Sequence, residues 1–362
     1  MYLTFGEIMM RVAPAEFLRF RQCMPGNVDI TFAGGEANVC ASLSILGGKT
    51  RYLTALPKNP IAECCESSLK TLGIDTSCIL KRDEGRLGIY FLETGANQRS
   101  SNVVYDRDGA AVALAAPDEY DFEAALDGVS WVHVTGITPS LSENAFLSTL
   151  ALVKLAKEKG ASTSCDLNFR KKLWKWKPGM SNKELAQESM RQVIPFIDVV
   201  IGNEEDASDV LGIAAEGTEV EAGEINAEGY IAVAKEIVSQ FPNVRNVAIT
   251  LRESISASHN NWGGMLHDVA SDAAHFAPLD ADGNYVPYEI RSIVDRVGGG
   301  DSFGAGLIHA LTGDEYNEPD MAIRFAVAAS CLKHSIKGDF SFTTRDEIVA
   351  LVGGAASGRV RR

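Results

Sequence analysis

The chain reads as an α/β protein, a mostly parallel sheet covered by helices in one domain spanning residues 1–362, with a small β layer over one edge. Three observations carry this. Short β runs alternate with helical runs along most of the sequence. Two segments, near 7–32 and 86–112, are β-rich with no helices between their strands, so they stand outside β-α-β units. Hydrophobic residues make up 46% and charged residues 23%, which leaves ample material for a core.

In order, YLTFGEI is the first strand, and GGEANVCASLSILGG reads as glycine turn, helix and glycine stop. TRYLTAL is a strand, and NPIAECCESSLKTLG a helix closed by Gly73. WVHVTG is a buried strand before a helix from about Ser142 to Lys159. ASTSCDLN and IDVVIGN are strands, GYIAVAKEIVSQF a helix and NVAITL a strand. After VGGGD the chain reads as helical to its end. Residues 214–228, acidic and glycine-rich, and 253–290 read as surface insertions, and SGRVRR as a frayed tail.

A net charge of -14 argues against general nucleic-acid binding and against anionic membrane surfaces. Any anionic substrate must then be met by locally placed arginines, lysines or backbone N–H groups. Seven scattered cysteines without a C-x-x-C pair read as small hydrophobes in a reducing compartment, the cytoplasm. The opening MYLTFGEIMMRV has no basic stretch before an apolar run, so no signal peptide is expected. No segment approaches the ~20 apolar residues of a membrane span.

The stretch VDRVGGGDSFGAGL, residues 294–307, follows an extended run and opens a helix. Glycines at such a junction expose several N–H groups at once, and the helix start adds partial positive charge, which suits an anion. Asp301 at that start is expected to be ionised and so able to take a proton from an alcohol. The plainer alternative is a glycine turn with Asp301 as an ordinary N-cap. GDSFG also fits the G-x-S-x-G elbow with Ser302 as a hydrolase nucleophile, but the helical remainder lacks the later strands such a fold needs. GGKT at 47–50 imitates the end of a P-loop, yet Leu43 stands where that motif needs glycine. Upstream, Gly34 and Gly35 let a polyol approach the backbone, and Asn38 both donates and accepts; an ordinary strand-to-helix turn is the alternative.

Together, Gly34, Gly35 and Asn38 near one end and DRVGGGD near the other resemble the ribokinase/PfkB family of carbohydrate kinases. The resemblance covers nearly the whole chain. It implies a doubly wound sheet with a β lid made by the two β-rich segments. It implies Asp301 as catalytic base and Gly298, Gly299 and Gly300 as an anion hole, with Gly299 where alanine is usual and Arg296 where threonine is common. NEED at 203–206 resembles the family's N-x-x-E motif: Asn203 on the nucleotide side, and Asp206, or else Glu205 or Glu204, organising Mg²⁺. NVAITL ends at Thr250 and Leu251, where the family commonly has T-L-G before the nucleotide site, and Arg252 replaces that glycine.

YDR at 105–107 with DLNFRKKLW at 166–174 resembles family members that act on 2-keto-3-deoxygluconate. The resemblance implies Arg107 and the phenols of Tyr90 and Tyr105 on the sugar acid, with Asn168 nearby and Arg170 between sugar and triphosphate. A solvated strand arginine is the plain reading of Arg107 alone. Trp174 and Trp176 read as core or surface aromatics. The implied reaction is ATP-dependent phosphorylation of the sugar acid's primary hydroxyl with Mg²⁺, by a homodimer paired through its lids. Another sugar, or a non-catalytic sugar sensor, stays open.

Overall fold

The computed structural model describes residues 1–213 and 227–354, without the side chain of Glu204. Most of the expected 214–228 loop and the SGRVRR tail lie outside the described residues; residues 227 and 228 open the helix Ala227–Gln240.

A nine-stranded sheet forms the centre. Its parallel part runs Thr50–Leu53, Tyr2–Phe5, Trp131–Thr135, Ser162–Asp166, Val199–Gly202 and Asn246–Ser256. Trp131–Thr135 and Val199–Gly202 are buried at every position, as strands covered on both faces must be. Alternate side chains divide between two cores, as strand geometry requires. Val200, Val247 and Ile249 pack toward Glu143–Glu158, Asn182–Val193 and Ala227–Gln240. Val199, Ile201 and Ala248 pack toward Gly35–Ile45, Gly299–Thr312 and Pro319–Lys333.

The two β-rich segments supply a separate four-stranded sheet, in the order Asp29–Ala33, Met9–Ala13, Gly88–Glu93, Asn102–Asp106. A one-turn helix, Phe20–Cys23, interrupts the first segment, and Ala111–Leu114 ends the second as helix rather than strand. After Leu53 the chain leaves the main sheet, and Ala55–Pro57 pairs instead with Leu80–Arg82.

Residues 253–290 are not a surface insertion. Asn246–Ser256 turns back into His259–Asp268, and Ala273–Ala277 and Tyr288–Ile290 pair with that return strand, all antiparallel. Trp262, Met265 and Leu266 are buried there. The surrounding Ser, His, Asn and Asp conceal this burial from a reading by composition. The helix Asn182–Val193 also has no counterpart in the sequence reading, although Ser181 and Glu184 form a capping box at its start. Among the described residues no helix is long and apolar enough to cross a membrane.

Candidate active site

The parallel strands end on the same side, and the turns after them wall two adjoining cavities, as expected at the carboxyl ends of an open α/β sheet. The first is lined by Asn203, Glu205, Thr250, Arg252 and the turn Gly298–Gly300. The second is lined by Glu7, Gly34, Gly35, Tyr90, Tyr105 and Arg107. Asn168, Arg170, Val297 and Asp301 line both.

Gly298 caps the helix Gly299–Thr312 with φ of 84°. A side chain there would begin 2.2 Å from the carbonyl oxygen of Asp339, so only glycine fits. The first intrahelical bond runs from Ser302 N–H to Gly298 O at 2.9 Å. The N–H groups of Gly299, Gly300 and Asp301 precede it, as helix starts require, at the wall of the first cavity. A methyl on Gly299 would meet His334 Cε1 at 3.1 Å, whereas one on Gly300 would meet nothing within 4 Å among the described residues.

Asp301 stands in the first turn of that helix. Asn38 Nδ2 donates to its Oδ2 at 2.6 Å, and Gly34 N–H donates to Asn38 Oδ1 at 3.2 Å. Gly34 is extended; its missing side chain admits the Glu7 carbonyl, which would lie 2.0 Å from a Cβ. The helix start does not hold Asp301 in the ordinary carboxylate range. Burial pushes it up to about 6, against the Asn38 hydrogen bond and with Asp339 adding to the rise.

On the second-cavity side, Arg107 is buried and ion-paired with Glu7, and its guanidinium lies 5.4 Å from the Tyr105 ring centroid. It is therefore not a solvated strand arginine. Glu7 is buried too; desolvation raises its carboxyl while Arg107 opposes the rise, and its Oε1 has no hydrogen-bond partner among the described residues. The Tyr90 hydroxyl donates to Asp339 Oδ2 at 2.6 Å, so the phenol is already engaged. Tyr105 is 40% exposed and faces Tyr90 at 6.2 Å.

On the first-cavity side, Asn203 caps the short helix Glu204–Asp206 by accepting from the N–H groups of Glu205 and Asp206, each at 2.9 Å. Asp206 is buried, and its oxygens accept from Phe169 N–H at 2.9 Å and Asn203 N–H at 3.1 Å. It fixes two loops, while Glu205 is exposed on the cavity wall. Arg296 reaches Ser256 O and Asn260 Oδ1 at 3.1 and 3.0 Å, tying the antiparallel hairpin to the glycine turn.

Ser302 is turned into the core, 3% exposed, and donates to Ala329 O at 3.1 Å. It lines neither cavity, which removes the hydrolase elbow. Trp174 is buried and Trp176 stacks on Phe146, both away from the cavities. Three site residues escaped the sequence reading: Glu7, Asp166 and Asp339. Asp166 opens the DLNFR stretch, and burial with Asp206 and Asp301 nearby pushes its carboxyl well up. Only that stretch carried a signal; Asp339 has no local motif.

Residues 2–343 match the pfkB family carbohydrate kinase. The chain belongs to the PfkB family of carbohydrate kinases. The kinase has the ribokinase-like fold, and it resembles the crystal structure of 2-dehydro-3-deoxygluconokinase from Thermotoga maritima, with 42% identity, a TM-score of 0.86 and 98% of each chain covered. It is 29% identical over 357 residues to a 2-dehydro-3-deoxygalactonokinase from Haloferax volcanii, again covering 98% of each chain. A 2-dehydro-3-deoxygluconokinase from Bacillus subtilis is 24% identical over 363 residues, which is 97% of this kinase and 94% of that one.

Proposed function

We propose that the kinase transfers the γ-phosphoryl group of ATP to the primary hydroxyl of 2-keto-3-deoxygluconate, giving the 6-phosphate and ADP. One observation carries this reading. Asp301 stands where the two cavities meet, one walled by the Gly298–Gly300 turn and arginines, the other by Glu7, Arg107 and two phenols. The names of the Thermotoga and Bacillus relatives support the choice of sugar acid.

The triphosphate occupies the first cavity, with its transferring group at Gly298–Asp301. The sugar acid occupies the second. Asp301 accepts the hydroxyl proton as the sugar oxygen bonds to the γ-phosphorus and the bond from phosphorus to the β-γ bridging oxygen breaks. A carboxylate with a pKa of about 6 is ionised at neutral pH and still basic enough for this work. The N–H groups of Gly299, Gly300 and Asp301, with Arg170, offset charge on the equatorial oxygens. Asn38 aims the carboxylate. Tyr105 and the Glu7–Arg107 pair hold the sugar acid, and Asn168 borders both substrates.

The residues fit a hard divalent cation such as Mg²⁺, because the first cavity presents carboxylate oxygens. Glu205, free to turn into the cavity, and Asp166 would hold it directly or through water. Asp206 would act from behind, since its oxygens already serve backbone N–H groups. The ion would supply charge neutralisation of the phosphates.

The four-stranded sheet serves as the lid that excludes water during transfer. Ile30 and Val104 on it are more than half exposed, and pairing of two lids in a homodimer would cover them. The scattered cysteines without a C-x-x-C pair support the cytoplasm as the site of the reaction.

The test is ATP consumption with Mg²⁺ against 2-keto-3-deoxygluconate, 2-keto-3-deoxygalactonate, fructose, ribose and gluconate. A preference of about 100-fold in kcat/KM for the first, ~2.7 kcal/mol, is the expected result. Preference for the galactonate epimer would move the kinase to the Haloferax relative's substrate. Preference for a neutral sugar would overturn the role of Arg107, and absence of both turnover and ATP binding would favour a sensor.

A further inference from the structure

Lys333 ends the helix Pro319–Lys333 and is completely buried, yet nothing in the mechanism above uses it. An ammonium in the interior is costly unless opposite charge surrounds it. Its Nζ donates to Ile336 O at 3.2 Å, and its Cε lies 3.3 Å from where a side chain on Gly298 would begin. It is thus set directly behind the anion-binding turn.

The carboxylates of Asp295, Asp339 and Asp301 all act on Lys333, and Arg11 is the neighbouring cation. Burial lowers the Lys333 pKa, and these carboxylates oppose that fall. Arg11 is committed elsewhere: it bridges Asp295, at 2.5 Å, and Asp339. Asp295 in turn accepts from Val297 N–H and Gly338 N–H, each at 3.1 Å, and so frames the entry to the glycine turn. Arg11 is thus taken up by Asp295 and Asp339, Asp301 faces Lys333 and Arg170, and Lys333 makes no close ion pair among the described residues.

We propose that Lys333 is a positioning residue for phosphoryl transfer: its ammonium, walled in behind the glycine turn, offsets the shared negative charge of Asp295, Asp339 and Asp301. Without it, Arg11 is left with Asp295 and Asp339 and Arg170 with Asp301, and the added repulsion among the carboxylates is relieved by protonating one of them. Asp301 is the one whose protonation stops the reaction. Besides Lys333 and Asp339, Asp301 is faced by Asn38, Arg170, Asp166 and Glu36, and Lys333 is also faced by His334. The proposal rests on Asp301 as the base, which the Asp301→Asn variant tests separately.

The experiment compares the full-length enzyme with Lys333→Met. A residue that only fills space would change stability and leave the pH profile alone. The expected result is a kcat at pH 7 lowered by about tenfold, KM values within about threefold, and an acid limb of the kcat profile raised by about one pH unit. An acid limb in its original place would overturn the proposal. Urea unfolding gives a readout independent of turnover. The destabilisation caused by Lys333→Met is expected to shrink in an Asp301→Asn background, and equal losses in both backgrounds would overturn the charge role. If Lys333→Met alone does not fold, the double variant is expected to fold; its failure would count against the proposal equally.

Discussion

Asn38 and Asp301, 263 residues apart in sequence, are joined by a 2.6 Å hydrogen bond from the amide to the carboxylate. The bond links the first turns of Gly35–Ile45 and Gly299–Thr312, helices that pack on the same face of the sheet. Replacing Asp301 by Asn keeps the shape and removes the basic oxygen. A fall in kcat of about 10²–10⁴ is expected with the unfolding midpoint retained. Steady-state kinetics and thermal melting check this, and retained turnover would sink the assignment.

Asn38→Ala removes a bond that favours the ionised carboxylate. The acid limb of the kcat profile should move upward, and activity at pH 8 should suffer less than at pH 6. A uniform loss at every pH would mean that Asn38 serves only the Gly34 turn.

In the unaltered kinase the acid limb of kcat is expected near pH 6, because the base works only when ionised. About a tenth of the plateau rate should remain one pH unit below that limb. The stability contribution has the opposite sense. A carboxyl raised from 3.8 to about 6 favours the folded state below 3.8, and this advantage is lost as pH rises through 6. Stability and activity should therefore diverge between pH 4 and 7, which urea titrations beside rate measurements would show.

Gly298 and Gly300 should respond differently to alanine. At 298 the new side chain meets the Asp339 carbonyl in a left-handed backbone conformation, so Gly298→Ala should lose about 1–3 kcal/mol of stability and most turnover. At 300 there is open space, and Gly300→Ala should melt like the parent while narrowing the phosphate site. Equal melting of both variants would contradict the geometry.

Arg107→Ala strands the buried Glu7 carboxylate, at about 3–5 kcal/mol. The double variant Glu7→Gln, Arg107→Met should recover much of that stability while the KM for the sugar acid stays raised about tenfold or more and that for ATP is unchanged. A raised ATP KM would place Arg107 on the wrong substrate.

The parallel strands were legible because both faces are covered and their apolar runs are short and bounded by glycine. The two glycine turns were legible for a related reason: close approaches, at Gly34 to the Glu7 carbonyl and at Gly298 to that of Asp339, exclude other residues. The 253–290 hairpin was not. Trp262, Met265 and Leu266 are buried within a sequence of mixed polarity that alternation alone does not resolve. Glu7, Asp339 and Lys333 were hidden because their meaning lies in partners far along the chain, such as Arg107, Tyr90 and Asp295. Tyr90 was found as a cavity residue, but its bond to Asp339 had no local sign. Asp301's raised pKa was likewise invisible, since helix-start electrostatics pointed the other way and only the surrounding burial decides.

The passage between the two sheets is three residues long, from Phe5 at the end of a central strand to Met9 at the start of a strand of the four-stranded sheet. Gly6, Glu7 and Ile8 are buried, and any side chain on Gly6 would collide with the Glu36 carboxyl. Glu7, in the middle of this joint, holds Arg107, which follows the last lid strand Asn102–Asp106. The joint and the far edge of the four-stranded sheet are thus strapped together beside the second cavity. If the proposed lid turns about that joint, it would work like a drawstring: the pivot and the proposed grip on the sugar acid share a carboxylate, so opening would loosen the hold on substrate in the same movement.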